Sequence, residues 1–322
     1  MTTDKGVATT APVLVGVDGS AAALRAVDVA AHEAARRGSA LRVLHVIPVV
    51  TPLPLAYAVP FPLPSESSHQ IGQSVLADAA TRAEAVLGPD RVTVHLAEGD
   101  RARALLTAAR HASLLVLGNE RRNLLDRLIT GTVINNAAAH SPVPVVVVPE
   151  GWAPESERRH LVVGIKDCSA CEGLVRRALE LAAARQARVT LLNAWEFPVL
   201  YDPSAYASID FAAVAEASRA ELAKHVGPLV AEFPGIEVDI RVEQGQAARL
   251  LTLASAEADL LMIERRGHLL PVGHLGGTAR AVLRESACPV EVLPAASEYG
   301  LERLEVEAAG VPLKAALGVE PG

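Results

Sequence analysis

Short runs of valine, leucine and isoleucine alternate along this chain with longer, alanine-rich stretches whose apolar positions recur at helical spacing. The short runs are apolar at nearly every position. That is the pattern of strands buried on both faces, as in parallel sheets. In the first half they predict strands near 12–17, 41–47, 91–97, 113–118 and 144–149. The longer runs, such as Ala21 to Arg37 and Ser74 to Leu87, predict helices between them. Pro48 to Pro64 holds six prolines and reads as a non-helical excursion over the surface. Strands alternating with helices predict a five-stranded, doubly wound α/β domain.

The pattern then repeats after about 146 residues. Pro12-Val-Leu-Val-Gly-Val-Asp18 matches His160-Leu-Val-Val-Gly-Ile-Lys166, and Leu41 to Val46 matches Val189 to Ala194. Gly99 and the helical run after it match Gly245 and its run. Leu114 to Leu117 matches Leu260 to Ile263, and Pro144 to Pro149 matches Pro289 to Pro294. The period is far too long for a solenoid, so a whole domain is duplicated. The expected organisation is one α/β domain over 1–150, a second over 151–295 and a tail over 296–322, with Gly151 to Arg159 as the joint. The tail is charged, weakly helical around Leu301 to Glu307, and has no assigned role. Val145 to Val148 is short, apolar and flanked by prolines, and Pro289 to Leu293 is its counterpart. An uncovered apolar edge strand is an aggregation hazard. Pairing these two strands covers both, which predicts an intramolecular pseudo-dimer.

Composition narrows the class. The 322 residues carry a formal net charge of -7, against the basic surface that nucleic-acid binding needs. With 50% hydrophobic and 21% charged residues the chain is globular, and with 3% aromatics its core is aliphatic. Met1 to Pro12 has no apolar signal core, and no apolar run approaches the ~18 residues of a membrane span. Three cysteines do not make a disulfide framework. The expectation is a cytoplasmic protein with neither nucleic-acid nor membrane partners.

Ligands of open α/β sheets sit beyond the C-terminal ends of the strands. Two such ends carry candidate chemistry. The first strand runs into Asp18-Gly19-Ser20 and a helix, and the fourth ends at Gly118, followed by a polar loop and Gly131-Thr132 opening another helix. Gly131 lets backbone approach a ligand, Thr132 offers a hydroxyl, and a helix N-terminus offers free N–H groups to phosphate. Asp18 has the chemistry to accept from ribose hydroxyls or to help hold a metal ion. Equally, Asp18 reads as a cap or turn residue, and Gly131-Thr132 as a mere helix start.

These residues resemble the universal stress protein family in its tandem two-domain form. The resemblance covers about 11–149 and 160–294 and rests on five features. They are Val-Gly-Val-Asp-Gly-Ser at the first strand, Gly99-Asp100, Leu-Val-Leu-Gly at the fourth strand, Gly131-Thr132, and the closing Pro-Val-Pro-Val-Val-Val-Val-Pro. ATP-binding members carry glycine, two residues, glycine, nine residues, then glycine with serine or threonine. Gly118 takes the first place and Gly131-Thr132 the last, while Arg121 replaces the middle glycine. Arg121 either clamps a phosphate or fills the space that the triphosphate needs. The resemblance implies ATP, with Mg if ATP is bound, held by Asp18, Val46, Gly118, Gly131 and Thr132. It also implies association of the halves through their final strands. In the second half Lys166 stands at the aspartate position and Glu264 at the first glycine, while Gly267 keeps the middle place. The final pair is Gly277-Thr278 by the family spacing, or Gly276-Gly277 counting back from Pro289.

Cys168-Ser-Ala-Cys171 has the spacing of redox dithiols at a helix start, where a thiol pKa is lowered, but these residues fill the slot of Ser20 and its small neighbours, and drift among small residues explains them without redox chemistry. There is no metal-ligand spacing, no Gly-x-Ser-x-Gly and no Gly-Lys-Ser/Thr. The sequence therefore points first to a non-catalytic, stress-related module binding ATP or a related adenine nucleotide mainly in its first half, with an unidentified regulatory protein partner. An ATP-independent scaffold with eroded sites comes second, and a dithiol redox role third. No catalytic residue is assigned.

Overall fold

The computed structural model describes residues 11–49, 66–120, 133–152, 158–196, 210–265 and 275–295. Each apolar run is a strand. They are β1 (Val13–Val17), β2 (Leu41–Ile47), β3 (Val92–Glu98), β4 (Leu114–Asn119) and β5 (Val145–Pro149), then β6 (His160–Ile165), β7 (Arg188–Trp195), β8 (Val238–Gln244), β9 (Leu260–Glu264) and β10 (Val290–Leu293). Between them lie α1 (Ala21–Arg37), α2 (Glu66–Leu87), α3 (Arg101–Ala109) and α4 (133–140), then α5 (Glu172–Arg185), α6 (Phe211–Ala231), α7 (Ala247–Ser255) and α8 (Gly277–Glu285).

All ten strands join one sheet in the order β3-β2-β1-β4-β5-β10-β9-β6-β7-β8. Within each half every pairing is parallel. At the centre β10 pairs antiparallel with β5, setting Val290 opposite Val147, Glu291 opposite Val146 and Val292 opposite Val145. The two halves are thus doubly wound domains related by a pseudo-twofold axis at this seam. The apolar final strands cover each other, which removes the edge hazard.

The two faces of the sheet are packed differently. On the face of α3, α4, α7 and α8 one apolar cluster runs unbroken across the seam, from Leu14 and Leu105 through Val145, Val147, Val290 and Val292 to Leu251 and Leu283. On the opposite face the core divides. Alanines of α1 and α2 pack on β1, β2, β4 and β5, whereas α5 and α6 pack on β6, β7 and β9.

Local signals account for the element ends. Ser20 caps α1 by accepting the Ala23 N–H at 3.1 Å, and Gly38 ends it at φ 63°. The repeated Gly99 and Gly245 both sit at positive φ, 123° and 140°. Each donates its N–H to the last residue of the neighbouring strand, Ile47 and Trp195. This turn after β3 and β8 is open to glycine and strained for other residues. Helix α2 starts at Glu66 rather than near Ser74. Its first turns are polar and give no apolar period, but Gly72 lets them settle against the sheet: a Cβ there would meet Leu96 Cδ1 at 2.8 Å. Most of the proline-rich segment (50–65), the middle of the joint (153–157) and the tail (296–322) lie outside the described residues.

Candidate functional site

The C-terminal ends of β1, β2 and β4 converge on a cavity in the first half. Gly16, Val17 and Asp18 line it from β1, Leu44 and Val46 from β2, and Leu117 and Gly118 from β4. Val133 and Ile134 line it from α4, and Arg101 and Leu105 from α3. The structure therefore brings Asp18, Val46 and Gly118 together. Arg121, Gly131 and Thr132 lie outside the described residues; Val133 and Ile134, which follow them in the chain, line this cavity. Arg101 is a lining residue that motif matching misses. Its signal is its place as the first helical residue after Gly99-Asp100. Asp100 caps α3 by accepting the Arg103 N–H at 2.8 Å, which fixes where Arg101 starts.

Asp18 has two roles. Its Oδ1 accepts the Ser20 N–H at 3.0 Å, forming the turn into α1, and the residue stays exposed. A carboxylate has about four acceptor sites, so this leaves capacity for a ligand hydroxyl or cation. His45 braces the same strand end through Nδ1 to the Val17 carbonyl at 2.8 Å, and Asn193 makes the equivalent bond to Ile165 at 3.0 Å. Gly118 also has a structural duty. A Cβ on it would lie 2.3 Å from the carbonyl oxygen of Ala22, so α1 rests directly on the β4 backbone.

The second half is built otherwise at the same place. Glu264, the last residue of β9, takes the position of Gly118. The chain after β6 instead makes a 3₁₀ turn over Cys168–Ala170 before α5 starts at Glu172. Asp167 shapes this turn by accepting from the Ser169 N–H at 2.9 Å and its hydroxyl at 2.7 Å. Lys166 is exposed, and no ion pair joins it to Glu264. Ser286 closes α8 as Ser141 closes α4, each hydroxyl donating two residues on, to Cys288 and Val143. Counting back from these serines sets Gly276-Gly277 against Gly131-Thr132. Gly276 caps α8 without a side-chain bond, and Thr278 falls inside the helix. Gly267 lies outside the described residues.

The dithiol environment runs against reactivity. Burial, with Glu221 and Asp167 nearby, pushes the Cys168 thiol up. Burial also pushes Cys171 up to about 11, and its Sγ donates to the Cys168 carbonyl. Cys171 stands at the N-cap of α5 but makes no side-chain capping bond, and burial and the local carboxylates oppose thiolate formation. Among the described residues no group of three His, Cys, Asp or Glu side chains is arranged to hold a metal ion, and no helix is long and apolar enough to cross a membrane.

Comparison with known proteins bears on this site. The model of the universal stress protein family matches the chain twice, over residues 10–149 and 157–294. A universal stress protein of Mycobacterium tuberculosis is 28% identical over 289 residues, covering 87% of this chain and 96% of its own length. The crystal structure of a universal stress protein from Archaeoglobus fulgidus shares 17% identity with a TM-score of 0.64, covering 88% of this chain and 98% of that one. A universal stress protein solved in complex with cAMP is 28% identical over 44% of this chain and 99% of its own, with a TM-score of 0.35.

Proposed function

This chain belongs to the universal stress protein family, in tandem form, and on that premise we propose that it is a non-catalytic stress-response module that binds an adenine nucleotide in its first half. The observation that carries the reading is the cavity where Asp18, Val46, Gly118 and Arg101 meet Val133 and Ile134 of α4. Its apolar walls suit a base. Asp18 suits ribose hydroxyls, and Arg101 with the α4 N-terminus suits phosphate. Gly131 and Thr132 would supply backbone and hydroxyl donors there, and Asp18 would carry Mg if the ligand is ATP. The second half, with Lys166, Glu264 and no hydroxyl opposite Thr132, contributes little affinity.

One observation favours a second reading, an ATP-independent scaffold. Gly118 is explained by α1 packing alone, so its presence does not require a phosphate.

Calorimetry of the full chain with ATP and AMP separates the two. The nucleotide reading expects one site per chain, weakened at least tenfold by Asp18→Asn, Arg101→Gln or Gly131→Val. A charge-assisted hydrogen bond is worth ~1.5–3 kcal/mol, and each 1.4 kcal/mol is about tenfold. Gly277→Val should leave binding unchanged. Arg121→Gly weakens binding if Arg121 is a clamp and strengthens it if it is a plug. No heat of binding for either nucleotide makes the scaffold reading the better one.

A further inference from the structure

On the face where the core divides, a second cavity of about 480 Å³ opens between α1 and α5, over the seam strands. Its volume falls within the range of small-molecule sites, ~300–1,000 Å³, and it lies between domains, where such sites concentrate. Val29, Leu114 and Val146 form its wall on one side, and Leu161, Leu260 and Pro289 on the other.

Its polar groups are unbalanced. Glu33, whose side chain is 7% exposed, receives Arg36 through Nε and Nη2 at 3.1 and 2.6 Å, Arg37 through Nε at 2.7 Å and Arg185 through Nη2 at 3.1 Å. Four donors fill a carboxylate's acceptor capacity, yet three guanidiniums share one negative charge. The buried Nε of Arg185 has no hydrogen-bond partner among the described residues. Of the other two carboxylates of the cavity, Glu291 attracts Arg185 without a hydrogen bond to it, and each has a direct partner of its own. Glu291 is bound by Arg177 at 3.2 Å, and Asp259 accepts the backbone N–H groups of Arg158 and His160.

The internal repeat shows where the imbalance arises. Ala30 and Ala34 of α1 correspond to Ala178 and Ala182 of α5, so Arg37 corresponds to Arg185 and Glu33 to Leu181. Both arginines are present, but only one of the two carboxylates. Positive charge in a partly buried, apolar-walled cavity is costly without a counter-charge.

We propose that this seam cavity is a binding site for a small organic anion, an apolar body bearing a carboxylate or phosphate head, with Arg36 and Arg185 as the groups that hold the head. Such a ligand touches both halves, so the site exists only in the joined chain. It lies apart from Asp18 and Arg101 and does not depend on the nucleotide reading.

The test is calorimetry of the full chain with benzoate, phenyl phosphate and neutral benzyl alcohol. The expected result is one site for benzoate or phenyl phosphate, whichever head is preferred, with benzyl alcohol at least tenfold weaker. Val29→Phe fills the cavity from α1 and should abolish binding. Arg36→Gln, on a side chain 42% exposed, should weaken it about tenfold while the fold persists. Asp18→Asn should leave it unchanged. Absence of anion binding, equal binding of the alcohol, or binding that survives Val29→Phe would overturn the proposal. Loss of binding in Asp18→Asn would move the anion to the first-half cavity and overturn it equally.

Discussion

Gly118 and Ala22 touch backbone to backbone: a Cβ on Gly118 would lie 2.3 Å from the Ala22 carbonyl oxygen and 2.7 Å from the Ala23 nitrogen. Neither neighbour is a flexible side-chain end that could swing aside. Gly118→Ala is therefore expected to push α1 off β4, at about 1–3 kcal/mol or more for overpacking. Gly277 is the contrasting case. A Cβ there meets nothing within 4 Å, so Gly277→Ala should be neutral or slightly stabilising. Chemical denaturation of the two variants checks this. A tolerated Gly118→Ala would mean that the glycine serves a ligand rather than the helix.

A second expectation concerns the seam. Arg177 and Glu291 meet at 3.2 Å where the first half has Val29 and Val146. Glu291 is 2% exposed, so Arg177→Val leaves a buried carboxylate without its guanidinium. Breaking a buried pair costs ~3–5 kcal/mol, and the partial exposure of Arg177 places this one near the lower end. Adding Glu291→Val rebuilds the apolar arrangement of the first half and should recover most of the loss. A double-mutant cycle on unfolding free energy reads the coupling, and additive losses would contradict it.

Acid stability should depend on Glu33 and His160. Burial raises the Glu33 pKa, but Arg185, Arg37 and Arg36 outweigh it and hold the carboxyl well below its usual range. A carboxyl depressed in the folded state adds stability that is full above its unfolded pKa and is lost as pH falls through the folded value. Glu33→Gln should thus cost roughly 2 kcal/mol at neutral pH, discounted for the exposed Arg36, with the deficit shrinking only in strong acid. His160 is lowered by burial first, then by Arg188 and Arg241, and bonds Thr190 Oγ1 at 2.8 Å. Its folded pKa lies below the unfolded one, so its contribution is complete above about pH 6.5 and is lost as pH falls through its folded pKa. Denaturation midpoints across pH for wild type, Glu33→Gln and His160→Gln test both signs. A wild-type His160 that titrates above an exposed histidine in NMR would reverse the second.

Thiol chemistry offers the simplest check on the third function the sequence suggests. With Cys171 near 11 and Cys288 near 12, both pushed up by burial, little thiolate exists at neutral pH. Alkylation by iodoacetamide at pH 7.5 should be slower than for free cysteine at all three positions, slowest at Cys288, which is 1% exposed. Fast modification of Cys168 or Cys171 would revive the dithiol role.

By itself the sequence determined the elements and their duplication. Strands buried on both faces must be largely apolar, and Val13–Val17 and Val145–Pro149 are written that way in the chain. The seam was legible for the same reason, since two apolar, proline-flanked edges leave few other ways to be covered. Asp18 and Gly118 were legible as candidates because ligands of this fold sit at the strand ends, and Val46 only through the family resemblance. What only the tertiary structure decided were contacts between residues remote in sequence whose types carry no signal. Arg101 joins the cavity through the angle of α3, and Gly118 owes its lack of a side chain to Ala22. The Cys168 turn forms before the helix rather than in it. Arg185 reaches Glu33 only because β10 runs antiparallel to β5 and so brings α5 beside α1. Periodicity reports which face of an element is buried, and it is silent about which charged groups that burial brings together.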